Sequence, residues 1–454
     1  MDEVKQKLDA AWRSFSELGF RARAVFMIST FIMVLQHLSG WSWDFLVYSM
    51  NGEYMLAGGF FMEWLRPPLA SVFLGLPQVF LPRSIAEILF IVAVSSFFLY
   101  ASRRVAEQYD LNFTYFYLLL MTPVTIYFGT RNGTEMLSLA LAMMFFAEIK
   151  NERSGAWLGL TFLARYNYGA IIPLTLIQRK PLKILKTLLI SAVPVSLWLG
   201  YNYLVTGHPL TSFANFLGLN VLRRSASEPL NPVNFLIVGL PSAVLLLLYA
   251  KKEFREQVDI KSDAFLFLAG FTVLNSLIYV SGGFKPLRYL YPLVLPIAFY
   301  AARAAEELDI NHLVDLLSGM GIAAALVLVL INPLAPPGNF EAAAESARGC
   351  MTESNVWPMI NYAGTQSYPV TYRSTEEKLS EGYRIIDYRN QVFGENSSLP
   401  VIAESELYTV YGYEDRCREP LKADRTWITG LNEKTGKNYT PESFLFHEVA
   451  QLWR

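Results

Sequence analysis

Residues 24–45 read AVFMISTFIMVLQHLSGWSWDF. The first part, Ala24 to Leu38, holds no Asp, Glu, Lys or Arg. It reads as a membrane helix, and that reading decides the fold class. Just past it sits Asp44, the one acidic residue in the first 52 that lies beyond Met1 to Glu17. A carboxylate at the mouth of a membrane helix is costly to desolvate and is a functional suspect by default. Trp41 and Trp43 beside it fit an interfacial aromatic belt. The segment Tyr54 to Leu69 adds Glu63 and Arg66 at the same depth.

The rest of the chain has the same character. Of its 454 residues, 53% are hydrophobic and 17% charged, which is little charge for a soluble domain. Further apolar runs lie at Ile85 to Tyr100, Phe235 to Tyr249 and Gly319 to Ile331. The expected class is a multi-pass α-helical membrane protein. A net charge of −1 argues against nucleic acid as a partner. The first run lacks a small-residue cleavage pattern and more membrane segments follow, so it is expected to be retained. Composition turns polar near Pro333. Residues 333–454 are expected to form a soluble α/β domain, with strand-like Tyr368 to Tyr372, Tyr383 to Tyr388 and Val401 to Glu404, and helix-like Glu442 to Leu452. Cys350 and Cys417 both lie there. They suggest a disulfide if this part faces an oxidising compartment, or else two free buried thiols. Asn396-Ser397-Ser398 and Asn438-Tyr439-Thr440 match glycosylation sequons, a pattern frequent by chance. No Walker or GxGxxG string and no zinc-spaced His/Cys cluster occurs.

Cytoplasmic loops carry excess Lys and Arg. The clusters are Lys5 to Arg23, Arg103-Arg104, Lys150 with Arg153, Arg179 to Lys186, and Lys251-Lys252 with Arg255 and Lys261. Placing all of them inside gives a cytoplasmic segment 1–23, a membrane domain 24–332 and an extracytoplasmic domain 333–454. The expected spans are Ala24 to Gly40, Ser84 to Ala101, Asn112 to Phe128, Glu135 to Ile149, a short broken hairpin (Gly155 to Arg165 and Asn167 to Ile177), Ile184 to Tyr203, Val233 to Ala250, Ala264 to Val280, Leu287 to Arg303 and Leu313 to Ile331. That is about eleven spans at roughly 20 residues each. Counting the proline-broken Pro67 to Leu81 would invert the later loops, so 41–83 is expected to be one outer loop with helices along the membrane face. A cell membrane is the expected location.

Arg66, Arg131, Arg165, Arg223, Arg224, Lys285 and Arg288 break the rule by falling at the outer face. Each costs roughly 2.5–3.5 kcal/mol at mid-membrane without a partner. The carboxylates there are Asp44, Glu53, Glu63, Glu135 and Glu228. Such an arginine surplus suits a phosphate. Four stretches supply it: Trp43-Asp44 with Tyr54 to Leu69, Phe128 to Glu135, Tyr201 to Leu210, and Gly282 to Pro292. They combine carboxylates, cations and aromatic rings suited to a sugar.

This layout resembles the GT-C membrane glycosyltransferases, and more closely the protein mannosyltransferase and aminoarabinose transferase branch, glycosyltransferase family 39. The matching features are the acid after the first helix, Phe60 to Leu69 (FFMEWLRPPL), the second acid in Arg131 to Glu135, Gly159 to Tyr166 and Arg288-Tyr289-Leu290-Tyr291-Pro292. The resemblance spans Ala24 to about Ile331. It implies inverting transfer of a sugar, mannose-like by preference, from a polyprenyl- or dolichyl-phosphate donor to a glycan, lipid or protein acceptor. It implies that Asp44 is the general base and that Arg131, Arg288 and Lys285 hold the carrier phosphate, with Arg66, Glu135, Arg165 and Tyr289 beside them. Glu63, Tyr48, Tyr54 and Trp64 would meet sugar or acceptor.

The chain departs from the family in places. Phe45 follows Asp44 where protein mannosyltransferases carry an Asp-Glu pair. Scattered carboxylates make a poor metal site, so no cofactor is expected and metal-independent chemistry is favoured over a divalent metal. Plainer readings stand beside these. Asp44 also reads as the N-cap of a helix starting at Phe45, Glu63 and Arg66 as a surface i,i+3 pair, Arg165 as a snorkelling cation, Lys285 as a helix-end anchor and His208 as a turn residue. The competing classes are a transporter or flippase for a lipid-linked or anionic solute, and a scaffold whose tail is the active part.

Overall fold

The computed structural model describes residues 16–223, 228–240, 242–248, 260–282, 285–370, 375–393, 398–420, 432 and 436–445. The expected features at Lys5 to Arg13, Arg224, Tyr249 to Arg255, Gly283-Phe284, Tyr372, Asn396-Ser397 and 446–452 lie outside them. Among the described residues, five helices are long and apolar enough to cross a membrane: Phe20–Ser39, Arg83–Tyr109, Pro181–Thr206, Asp263–Ser281 and Asn311–Ile331. The fold is mostly helical and the protein belongs in a membrane.

Other expected spans are assembled from shorter pieces, and proline supplies the reason. In 112–128 the chain forms Phe113–Leu120 and then Pro123–Phe128, with the Thr122 hydroxyl accepting from the Thr125 amide at 3.1 Å. Proline at the first helical position starts a helix but cannot continue one. After Ser154–Ala164, residues Tyr166–Gln178 form a 3₁₀ helix of 13 residues with Pro173 inside. Leu287–Leu293 is also 3₁₀, with Pro292 inside, and Val294–Glu307 follows as α-helix. Runs of this tighter helix beyond about 4 residues are uncommon and often mark functional positions.

The chain divides into two compact units. The first comprises Met1–Gln36, Ile88–Val195 and Ala226–Asn332. Its centre is the helix Glu135–Ala147, all 13 residues of which are buried. A helix apolar on every side belongs in a core or in a membrane, and this one is enclosed by its neighbours. Phe146 stacks on Tyr109 and on Phe267, each with centroids 4.4 Å apart. Gly155 and Gly159 bring Ser154–Ala164 against Pro181–Thr206. A Cβ at Gly155 would stand 2.1 Å from the Thr187 carbonyl oxygen, and one at Gly159 2.4 Å from that of Ser191. Small residues four apart permit such an approach between membrane helices.

The second unit comprises His37–Glu87, Ser196–Ser225 and Pro333–Arg454. Helix Trp43–Gly52 runs into a π-helical turn, Glu53–Ala57, that ends at Gly58 with φ 82°. Helix Pro68–Gln78 has 11 residues, too few to cross a bilayer. It packs closely on Trp43–Gly52, since a Cβ at Gly75 would stand 2.4 Å from the Gly52 carbonyl oxygen. Five strands follow: β1 (Thr352–Ser354), β2 (Ser367–Pro369), β3 (Arg384–Tyr388), β4 (Val401–Glu404) and β5 (Tyr408–Tyr411). They form one sheet in the order β2-β1-β3-β5-β4. β1 is parallel to β2 and β3, and β5 is antiparallel to β3 and β4. Leu46 packs with Phe340, Met359, Ile386 and Val410, while Val47 and Met50 pack with Trp357, Tyr368 and Tyr383. The helix that bears Asp44 and the sheet therefore share two hydrophobic clusters. Cys350 and Cys417 are joined by a disulfide across 67 residues.

Candidate functional site

Each unit holds an ionic cluster, and the two differ in composition. In the second unit, Ser42 occupies the N-cap and the helix begins at Trp43. Asp44 is thus inside the first turn rather than the cap, where the positive end of the helix dipole still favours a carboxylate. The Arg66 Nη1 lies 2.8 Å from Asp44 Oδ1, and its Nε donates to Glu63 Oε2 at 2.6 Å. The three side chains are 17%, 14% and 9% exposed for Arg66, Asp44 and Glu63. The pair read as a surface salt bridge is therefore a mostly buried triad with a third member 22 positions away. Burial works against the Arg66 charge, but Asp44 and Glu63 outweigh it and hold the guanidinium well above the usual arginine range. Asn51 fixes the Glu63 backbone, accepting from its amide at 2.9 Å and donating to its carbonyl at 3.1 Å.

The aromatic neighbours sort differently from expectation. Tyr48 lies beneath Arg66, its ring 5.7 Å from the guanidinium. Trp64 is 1% exposed and packs 6.3 Å from the rings of both Trp198 and Tyr201. It is a core ring in this structure. Tyr54 is half-buried on the π-helical turn. Glu53 pairs with Arg83.

In the first unit, the loop from Phe128 turns at Gly133 (φ 89°) and delivers Glu135 as the first residue of the buried helix. Its Oε1 lies 3.1 Å from Arg165 Nη1, so Arg165 is paired rather than snorkelling. Its Oε2 is buried without a hydrogen-bond partner. Arg165 stands in extended backbone between two helices (φ −153°, ψ 117°). The Tyr289 ring is 5.7 Å from the Arg165 guanidinium and 5.7 Å from that of Arg288. Arg131 lies over Tyr127 at 4.5 Å, and its Nη1 is buried without a partner. Burial lowers the Arg131 pKa below the ordinary value. Tyr127 works the other way, and the positive charge of Arg288 adds to the lowering. In the 3₁₀ segment Leu287–Leu293, Arg288 and Tyr291 are three residues apart and so share a face.

Lys285 stands apart from this arrangement. Its Nζ donates to the Glu228 carbonyl at 2.7 Å and its amide to the Glu228 carboxylate at 2.8 Å. It is 9% exposed, a buried partner of Glu228 rather than a helix-end anchor. His208 sits in a turn closed by Thr206 and Thr211, as a turn residue should, and its Nδ1 lies 3.0 Å from Glu442. The sequence reading passed over Glu87 and His37. Glu87 is fully buried and bound to His37, Ser49 and Tyr362. The available signal was a lone acid inside the apolar run from Ile85. Among the described residues, no three His, Cys, Asp or Glu side chains gather into a metal-binding group.

Chemically, among the described residues the first cluster brings the guanidinium groups of Arg131, Arg165 and Arg288 near the Glu135 carboxylate, an arrangement fit to hold an anion. The second sets two carboxylates against one guanidinium, an arrangement fit to accept a proton. No family model and no curated protein matches the chain. Solved structures do match. The crystal structure of ArnT from Cupriavidus metallidurans bound to undecaprenyl phosphate superposes with a TM-score of 0.60 at 10% identity, over 86% of this chain and 97% of that one. The apo state of the same protein gives 0.58 at 10% identity, over 86% and 96%. At that identity the likeness is one of architecture: this chain has the GT-C fold of ArnT.

Proposed function

We propose that this protein transfers a sugar from a polyprenyl-phosphate carrier to an acceptor hydroxyl, with inversion, at the non-cytosolic face of a membrane. The observation that carries this reading is Arg131 of the first unit: its Nη1 is buried without a hydrogen-bond partner, and it feels the like charge of Arg288. A phosphate oxygen supplies the acceptor that this nitrogen lacks. Support comes from the ArnT fold, seen there with undecaprenyl phosphate bound.

In this reading the acceptor oxygen attacks the anomeric carbon as the bond to the carrier phosphate breaks. The acceptor proton passes to Asp44. The leaving polyprenyl phosphate gains a negative charge, which Arg131, Arg165 and Arg288 stabilise. Arg66 holds Asp44 in place. A mannose-like hexose is the favoured sugar, and the chemistry as written needs no metal. The N-terminus is assigned to the cytoplasm and residues 333–454 to the outside.

The test is transfer of label from a polyprenyl-phosphate sugar in membranes that hold the chain. Wild type should release unsugared polyprenyl phosphate, and Asp44→Asn should slow this by about 10²–10⁴-fold, the usual worth of a positioned base. Equal transfer by wild type and Asp44→Asn would end the assignment of Asp44. A wild type inert with every carrier sugar would end the reading itself.

A further inference from the structure

Glu87 lies five residues into the helix Arg83–Tyr109 and is 0% exposed. A carboxylate in that position is expensive unless its oxygens are filled. Both are. Oε1 accepts from the Ser49 hydroxyl at 2.6 Å. Oε2 accepts from the Tyr362 hydroxyl at 2.7 Å and lies 3.0 Å from His37 Nε2. The three partners come from three segments: the end of the first membrane helix, the Trp43–Gly52 helix, and the helix Trp357–Tyr362. Burial, and then the charge of Glu87, raise the Tyr362 pKa, so its phenol stays a donor.

The contacts divide the Trp43–Gly52 helix into two faces. Residues four apart share a face. Asp44 and Tyr48 both meet Arg66. Phe45 and Ser49 meet His37 and Glu87 instead: the His37 and Phe45 rings are 4.6 Å apart, and Gln78 adds a hydrogen bond to the Ser49 hydroxyl at 2.7 Å. Asn51 ties the far end of the helix to Glu63. Any roll of this helix about its axis that carries Asp44 away from Arg66 must also pull Ser49 off Glu87.

We propose that Glu87 is a positioning residue: with His37, Ser49 and Tyr362 it sets the rotation of the Trp43–Gly52 helix and so the aim of the Asp44 carboxylate. The inference rests on the reading of Asp44 as the base, but its first test does not. Hydrogen–deuterium exchange of the full chain in lipid nanodiscs should show amides of 43–52 exchanging about tenfold faster in Glu87→Gln, while Glu135–Ala147 is unchanged. Ser49→Ala and Tyr362→Phe each remove one donor, and each should give a smaller acceleration of the same segment. They keep the test open if Glu87→Gln does not fold. Unaltered exchange at 43–52 in these two variants overturns the proposal. In the transfer assay, Ser49→Ala should lower kcat about tenfold with KM for the carrier sugar within about twofold, as misalignment without lost binding requires. In an Asp44→Asn background the same substitution should change residual transfer by less than about twofold, since a group acting through Asp44 has nothing left to aim. A KM effect alone, or an undiminished effect in that background, sinks the assignment. If wild type transfers nothing, the functional reading fails and the exchange data still judge the positioning.

Discussion

The two ionic clusters use the same residue types in opposite proportions. In the second unit Arg66 answers two carboxylates, Asp44 and Glu63. In the first, Glu135 faces three arginines and pairs with Arg165 alone. The difference separates a guanidinium with two carboxylate partners, Arg66, from one with an open donor, Arg131. Arg66 has carboxylate partners on two of its nitrogens, whereas Arg131 is half-buried, with Nη1 buried and unpartnered and a like charge nearby. A partly desolvated guanidinium with an open donor is unfavourable in the free protein and favourable once an anion arrives.

Removing a charge from each cluster should break or sharpen that contrast. The largest effect belongs to Arg66→Ala, which leaves two mostly buried carboxylates side by side. It should destabilise the second unit by about 3–5 kcal/mol, the usual penalty for orphaning a buried charge, seen as a lower thermal midpoint in detergent or nanodiscs. Arg66→Lys should recover only part of this, because one ammonium does not reproduce a two-armed fork. A midpoint unchanged in Arg66→Ala would mean the triad is solvated and the contrast false.

Next in size is Gly159→Leu. Its side chain would meet the Ser191 carbonyl oxygen and force two helices of the first unit apart, at about 1–3 kcal/mol, while Gly200→Leu, with nothing near its Cβ position, serves as the control. Arg131→Gln should have the smallest effect on the free protein, within about 0.5 kcal/mol of wild type or slightly stabilising. It should nonetheless weaken binding of polyprenyl phosphate by about tenfold, the worth of one charge-assisted contact. The informative outcome is the pairing of a neutral midpoint with lost carrier affinity. Arg131→Gln that destabilises the free protein as Arg66→Ala does would make the first cluster structural.

Legibility from sequence followed the range of the interactions. The long apolar runs that became Arg83–Tyr109, Pro181–Thr206 and Asn311–Ile331 were plain, because bilayer thickness demands a contiguous stretch. Glu63 with Arg66 was visible as an i,i+3 spacing. The tie from Arg66 to Asp44 was not, since no local rule connects residues 22 apart. The 3₁₀ segment 166–178 was read as one arm of a short broken hairpin, and 287–293 as the start of an ordinary span. Their prolines signalled a break without saying that the tighter helix would continue across it. Trp64 shows the same limit: an aromatic residue beside charged ones reads as a sugar platform until its ring is seen packed against Trp198 and Tyr201.

Composition and spacing alone determined that this is a helical membrane protein with arginines outside its main basic clusters and a lone acid after its first helix, because hydrophobic runs and charge bias are properties of contiguous sequence. Only the tertiary structure decided which charges meet. It paired Arg66 with Asp44, left Arg131 Nη1 without a partner and buried Glu87 among three donors from distant segments. Long-range hydrogen bonds and ion pairs depend on where folded segments cross, and the order of residues along the chain does not state that.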